Sequence, residues 1–277
     1  MTDTSDRLVT GADLARVLAP ARRPEPPGGL ANVLTFGWRA LLKVKHMPEQ
    51  LFDVIVTPVM FTVMFTYLFG GALAGSPDAY IQFLLPGILA QTVTFTTIYT
   101  GFTLNSDISK GVFDRFRSIP IWRPSPVVGA MAGDTVRYTI SSLIVLVIGF
   151  ILGFRPEAGA AGILGSLVLL NLFGVGMSWI FVVLAMIVRT PSVVMTMSWL
   201  VLMPLTFASN IYVDPATMPH WLQAFVAVNP VALLVTAIRD LMTGSATIPV
   251  ILLALVGPAV VTAICAPIAM ALYARRR

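Results

Sequence analysis

Long apolar runs separated by short polar intervals dominate this chain. Six runs reach the roughly 20 residues that a helix needs to cross a bilayer: about 51–71, 80–105, 127–153, 161–188, 192–212 and 247–273. Their apolar positions are continuous rather than alternating, which predicts helices and excludes a β-barrel. Several runs exceed the minimum, so tilt or extension beyond the hydrocarbon is expected rather than additional spans. Two other segments are amphipathic. In 31–46, Leu34, Trp38, Leu41 and Leu42 face one side and Arg39 and Lys43 the other, as in a helix lying in the membrane interface, with Pro48 ending it. In 107–123, Ile108, Val112, Phe116 and Ile119 step by four, four and three to form one apolar stripe, while Lys110, Asp114 and Arg117 mark a charged face. That island holds six of the chain's 31 charged residues, whereas about forty residues before it carry only Asp78. An amphipathic charged helix kept outside the bilayer has the form of a docking element.

Trp221 to Ile238 is nearly long enough to span, but Asn229-Pro230 interrupts it with a helix-capping Asn followed by Pro at the first helical position. Gly244 is placed to stop the helix that follows. Each half is too short to cross, so two short interfacial or re-entrant helices on the outer face are expected.

Composition agrees with an integral membrane protein: 57% hydrophobic, 11% charged and a mean hydropathy of +0.86 over 277 residues. The net charge of +5 does not indicate nucleic acid, because the basic residues are scattered along the edges of the apolar runs. Sixteen Lys/Arg fall on one side of the resulting topology and only Arg155 and Arg239 on the other. This bias puts both termini and the 107–123 island in the cytoplasm. Residues 1–30, with acids, Arg22-Arg23 and a Pro/Gly cluster but no apolar core, are expected to be a disordered cytoplasmic tail rather than a cleaved signal, leaving 31–277 as the membrane domain. Cys265, the sole cysteine, cannot form an intrachain disulfide and is expected to be a packing residue.

Several chemistries find no residues. His46 and His220 are the only histidines and both lie outside the runs, there is no HExxH, and no Gly-Lys dipeptide exists from which to build a phosphate-binding Walker loop. Asp134 and Arg137, near the cytoplasmic end of the third run, are expected to pair or to snorkel, leaving no acid at mid-span for a proton relay.

An ordered series of motifs resembles the membrane subunit of ABC exporters of the type-2 permease class, most closely the daunorubicin-resistance permeases of actinobacteria. The resemblance covers nearly all of 38–277. It rests on Arg39-Ala-Leu-Leu-Lys-Val-Lys-His-Met-Pro-Glu-Gln, Tyr67-Leu-Phe-Gly-Gly, Leu85-Pro-Gly-Ile and, most specifically, Gly111-Val-Phe-Asp-Arg-Phe-Arg-Ser-Ile-Pro-Ile. Pro204-Leu-Thr-Phe-Ala-Ser-Asn, Met218-Pro-His-Trp-Leu, Asn229-Pro, Arg239 and Gly244 complete it. Trp122-Arg123-Pro124 and Asn210 depart from the usual pattern.

The resemblance implies an all-α membrane protein of six spans in a bacterial plasma membrane. Two copies would pair with two copies of a separate ATPase, which binds ATP and magnesium; this chain would hold no cofactor, metal or catalytic residue. The segment Asp107–Ile121 would be the coupling helix that fits the ATPase, through Asp107, Lys110, Gly111, Val112, Phe113, Asp114, Arg115, Phe116, Arg117 and Ile119. Ordinary positive-inside charge against lipid head groups is the other reading of its arginines. In the second run, Thr92, Thr96, Tyr99 and Thr103 form one polar face beside Gln91, Phe95 and Phe102. That face is expected either to line a path or dimer seam for an amphipathic drug-like or lipid cargo, or simply to bond its hydroxyls to its own helix. Two other functions are carried: a membrane anchor or sensor recruiting a soluble partner through the same helix, and an ATP-independent transporter, disfavoured by the lack of mid-span charge.

Overall fold

Helix-starting residues recur wherever the chain re-enters apolar sequence. In the computed structural model, which describes residues 35–39, 42, 48–112 and 124–275, all regular structure is helical. The helices are α1 (Pro48–Ala74), α2 (Pro77–Thr96), α3 (Ile98–Ser109), α4 (Ser125–Ile151), α5 (Gly159–Ile187), α6 (Pro191–Phe207), α7 (His220–Val228), α8 (Pro230–Thr243) and α9 (Ile248–Arg275). Proline occupies the first turn of α2, α4, α6 and α8, where its missing N–H has no helical acceptor to lose. Ser76 caps α2, its Oγ accepting from Ala79 N at 3.2 Å. Asn229 caps α8 as expected: its Oδ1 accepts from Val231 N at 2.9 Å, and its Nδ2 donates to Leu205 O and Ala208 O, tying α8 to the end of α6. Gly244, at φ +81°, ends α8 in the left-handed conformation.

Five helical units are long and apolar enough to cross a membrane: Ile55–Ala74 of α1, α2 with α3, α4, α5 and α9. The α7–α8 pair, bent by 76° at Asn229, makes a sixth if it is counted as one span. The run 192–212 is helical only as far as Phe207; α6, with 17 residues, is about 25 Å long. After it the chain turns irregular yet remains buried at Ser209, Asn210, Ile211 and Tyr212.

The 33 residues of α2 and α3 extend to about 50 Å, well beyond a 30 Å hydrocarbon layer. The small interruption at Thr97 has a local cause. Thr92, Thr94, Thr96 and Thr97 all bond their hydroxyls to carbonyls three or four residues back, at 2.6–2.7 Å. Such bonds compete for the carbonyls of the helix, and Thr100 N turns instead to Thr97 O at 3.2 Å.

α2 is the centre of the molecule. Ile81, Leu84, Leu85, Ile88, Leu89 and Val93 are fully buried against Tyr138 of α4, Leu170 and Phe173 of α5, and Val231, Leu234, Val235 and Ile238 of α8. α1, α6 and α9 turn large apolar residues outward, among them Leu68, Leu200 and Val256. Since lipid is as apolar as these side chains, close packing rather than water exclusion holds the helices together. Small residues permit it: a Cβ on Gly101 of α3 would lie 2.7 Å from Phe181 O of α5.

One expected element is divided. α3 carries Asp107 and Ile108 and ends at Ser109; Lys110 then turns, and Gly111 takes φ +67°. The stripe Ile108–Val112–Phe116–Ile119 is therefore not on one helix. Ile108 packs against the cluster that holds Leu104, Val127 and Met131, as part of the second span. The left-handed glycine falls where the sequence period ran straight through.

Candidate functional site

α1, the α2–α3 span and α6 leave a partly open cleft of about 50 Å³ between them. α1 contributes Thr57, Pro58 and Phe61. Gln91, Thr92, Phe95, Thr96, Ile98 and Tyr99 come from the second span, and Met195 and Trp199 from α6. Five of the six residues expected on the path are brought together here. Thr103 is not: it lies a turn beyond Tyr99, half-buried, with a hydroxyl that has no partner. Phe102 is also outside the lining.

The two readings of the threonines hold simultaneously. Thr92 and Thr96 donate their protons to Ile88 O and Thr92 O, both at 2.7 Å, and still line the cleft. Their oxygens are left as acceptors. The remaining wall is aromatic, with Phe95 4.8 Å from Trp199 between ring centroids. Gln91 is 7% exposed, and its Oε1 accepts the Tyr212 hydroxyl at 2.7 Å. Tyr212 belongs to the irregular segment after α6; its carbonyl accepts the Tyr80 hydroxyl at 2.8 Å, and its ring stacks on Phe65 at 4.5 Å. Phe65 in turn stacks on Phe61 of the cleft at 5.8 Å.

A buried polar cluster lies behind the cleft. Thr100 donates to Asp134 Oδ2 at 2.6 Å, Arg137 Nη1 pairs with Asp134 Oδ1 at 3.0 Å, and Tyr138 is 3.4 Å from Thr100. The Arg137 guanidinium lies 5.7 Å from the ring centre of Tyr99, a cleft residue. The pair forms as expected, but it is inside the bundle rather than at an interface. α4 starts at Ser125, which places Asp134 ten residues along a 27-residue helix, and both side chains are only 6% exposed. The absence of mid-span acid therefore fails as an argument against a proton relay. The geometry supplies a different one: both carboxylate oxygens are already engaged.

At the end of the second span, Asp107 pairs with Arg39 at 3.4 Å, joining the 35–39 helical turn to α3. Phe36 and Gly37 of that turn lie against Gly129 at the start of α4. Trp38 is 65% exposed, as an interfacial residue would be. Lys110 is exposed and Gly111 and Val112 are half-buried; Phe113, Asp114, Arg115, Phe116, Arg117 and Ile119 lie outside the described residues.

At the opposite end, Arg155 and Arg239 border a cavity of about 140 Å³. Both serve as pins. Arg155 Nη1 donates to Phe150 O and Phe154 O, while Arg239 Nη2 donates to Phe83 O and Asn210 O with its guanidinium 3.9 Å over the Phe83 ring. No group of three His, Cys, Asp or Glu suited to a metal occurs among the described residues.

A helical membrane bundle with an aromatic-walled cleft and a charged connection after its second span is the arrangement in hand. Residues 31–243 match the family model of the ABC-2 type transporter, and the chain belongs to that family as a multi-pass permease. It is 44% identical over 260 residues to the daunorubicin resistance ABC transporter permease protein DrrB1 of Streptomyces coeruleorubidus, covering 94% of this chain and 92% of that protein. It is 27% identical over 183 residues to the doxorubicin resistance ABC transporter permease protein DrrB of Mycobacterium tuberculosis, covering 66% and 63% of the two chains.

Proposed function

We propose that this chain is the permease subunit of an ATP-driven exporter that moves an amphipathic drug-like or lipid compound out of a bacterial cell. Two copies pair across a two-fold axis, and a separate ATPase subunit, also in two copies, binds ATP and magnesium and supplies the energy. The observation that carries the reading is the cleft. It gathers the polar face of the second span with aromatic walls from α1 and α6, and so offers both halves of an amphipathic cargo a surface. The names of the relatives, resistance permeases for daunorubicin and doxorubicin, favour the same class of cargo.

The orientation follows the basic residues, with both termini cytoplasmic, α6 crossing and α7–α8 re-entering from outside. The segment from Asp107 to Ile121 is the docking site for the ATPase. Residues 31–46 lie in the cytoplasmic interface.

Thr96→Trp places a large ring in the cleft. It is expected to lower export at least tenfold, or to change which compounds leave, at unchanged amounts of membrane-inserted protein. Unchanged export of an amphipathic panel from cells carrying this variant and the ATPase would refute the cleft as cargo path.

A further inference from the structure

We infer that the cavity bordered by Arg155 and Arg239 binds a zwitterion carrying a phosphate and a primary ammonium group, the chemistry of a phosphoethanolamine head. The cavity shares no lining residue with the cleft beside the second span, and the inference is independent of the cargo path.

The wall is built before any ligand arrives. Gln82 of α2 donates through Nε2 to Gly153 O at 3.0 Å and accepts Arg155 N on Oε1 at 3.0 Å, tying the α4–α5 connection to α2. Ala158 N donates to Met242 O at 2.9 Å, which joins the same connection to the end of α8. The cavity of about 140 Å³ lies among these elements, with room for a group much larger than a single water. α2 and α5 start around it and α4 and α8 end around it, so it sits at the end of the bundle, at the level of lipid head groups.

Two guanidinium groups reach this space with donors left over. Each has five N–H groups. Arg155 commits Nη1 to Phe150 O and Phe154 O, and Arg239 commits Nη2 to Phe83 O and Asn210 O. These bonds fix the planes of both groups. They leave Nε and Nη2 of Arg155 and Nη1 of Arg239 without a protein acceptor, and Arg239 Nε is buried and unpaired as well. Among the described residues no carboxylate forms an ion pair with either arginine. Asp214 and Asp240 act on Arg239 only from a distance, and neither lines the cavity. Two fixed guanidinium forks without a counter-charge suit an oxyanion of the phosphate type.

Glu157 supplies the other half of the complement. It is exposed on the same wall, and its side chain makes no hydrogen bond within the protein. Beside a bare phosphate this carboxylate would repel. Beside an ammonium two carbons away from the phosphate it becomes the acceptor.

Native mass spectrometry of the full chain in dodecyl maltoside tests this with a matched pair of lipids. Dioleoyl phosphatidylethanolamine and dioleoyl phosphatidylethanol differ only by the amine. The first is expected to bind about threefold more tightly, the effect of one exposed ion pair. Glu157→Gln, which breaks no bond within the protein, should remove that preference. Arg155→Gln should weaken both lipids about fivefold. Equal binding by wild type, a preference that survives Glu157→Gln, or affinities unchanged in Arg155→Gln would each overturn the assignment. Soluble competitors separate the sources of the ligand. Displacement of the lipid by millimolar O-phosphoethanolamine assigns the site to a soluble ester, and resistance to it assigns the site to the lipid head. Inorganic phosphate that competes as well as O-phosphoethanolamine would overturn the ammonium half.

Discussion

Removing the carboxylate of Asp134 tests whether a buried ion pair fastens α3 to α4. Asp134→Ala deletes the 2.6 Å bond from Thr100 and the 3.0 Å pairing with Arg137 together, and leaves a guanidinium whose side chain is 6% exposed with no counter-charge. Breaking a buried pair from one side costs about 3–5 kcal/mol. The stranded Thr100 hydroxyl places the expected loss towards the upper end of that range. Arg137→Met should cost a similar amount, since the carboxylate would then be held by Thr100 alone. The double variant Asp134→Ala/Arg137→Met removes both charges and should recover most of the loss, giving a coupling of at least about 2 kcal/mol. Asp134→Asn separates the contributions: it can still accept from Thr100 but cannot neutralise Arg137, and should fall between wild type and Asp134→Ala. Unfolding in mixed micelles titrated with dodecyl sulfate, followed by tryptophan emission, measures all four. The reasoning fails if Asp134→Ala lies within about 1 kcal/mol of wild type, or if the two single losses simply add in the double variant.

Replacing Phe116 and Arg117 together by Ala should reduce export at least tenfold while insertion and the amount of permease stay unchanged; normal export by a variant that still co-purifies with its ATPase would exclude this segment as the coupling element. In a Cys265→Ala background, cysteine at Ser76 or Thr217 should react in intact cells with an impermeant thiol reagent, and cysteine at Ser109 should not; reaction at Ser109 would invert the topology. Gly101→Val should lower the folded yield, because a Cβ there would lie 2.7 Å from Phe181 O and 2.9 Å from Phe181 Cβ, an overpacking worth about 1–3 kcal/mol; a variant as stable as wild type would mean that α3 and α5 separate at little cost.

The parts of this structure legible in the sequence are those fixed by local rules. A bilayer imposes a minimum apolar length, so the runs that became α1, α2–α3, α4, α5 and α9 were plain. Asn229-Pro230 and Gly244 act through bonds to residues a few positions away and fell where expected. The Thr92–Thr96–Tyr99 face was visible from helical spacing, though spacing said nothing of what stands opposite it. Phe61, Met195 and Trp199 complete the cleft from other helices, and Tyr212 reaches Gln91 across 121 residues of chain. Such pairings arise from how helices dock, which a hydropathy period does not encode. The docking island shows the reverse error. Its apolar period runs unbroken from Ile108 to Ile119, while one left-handed glycine at 111 divides it.

The interruption at Thr97 divides the second span into two portions with different neighbours. Its first portion, α2, is bedded among α1, α4 and α8, while its second portion, α3, lies mainly against α5 and α6. α3 is fastened there by Asn105, whose Nδ2 reaches Ala185 O and Val188 O at the end of α5. Asp107, at the end of α3, is thus held with α5 and α6, and the two portions of the span meet at Thr96–Ile98. Both Thr96 and Ile98 line the cleft. The wall of the cleft thus straddles the point at which the span passes from the packed centre to the contacts with α5 and α6.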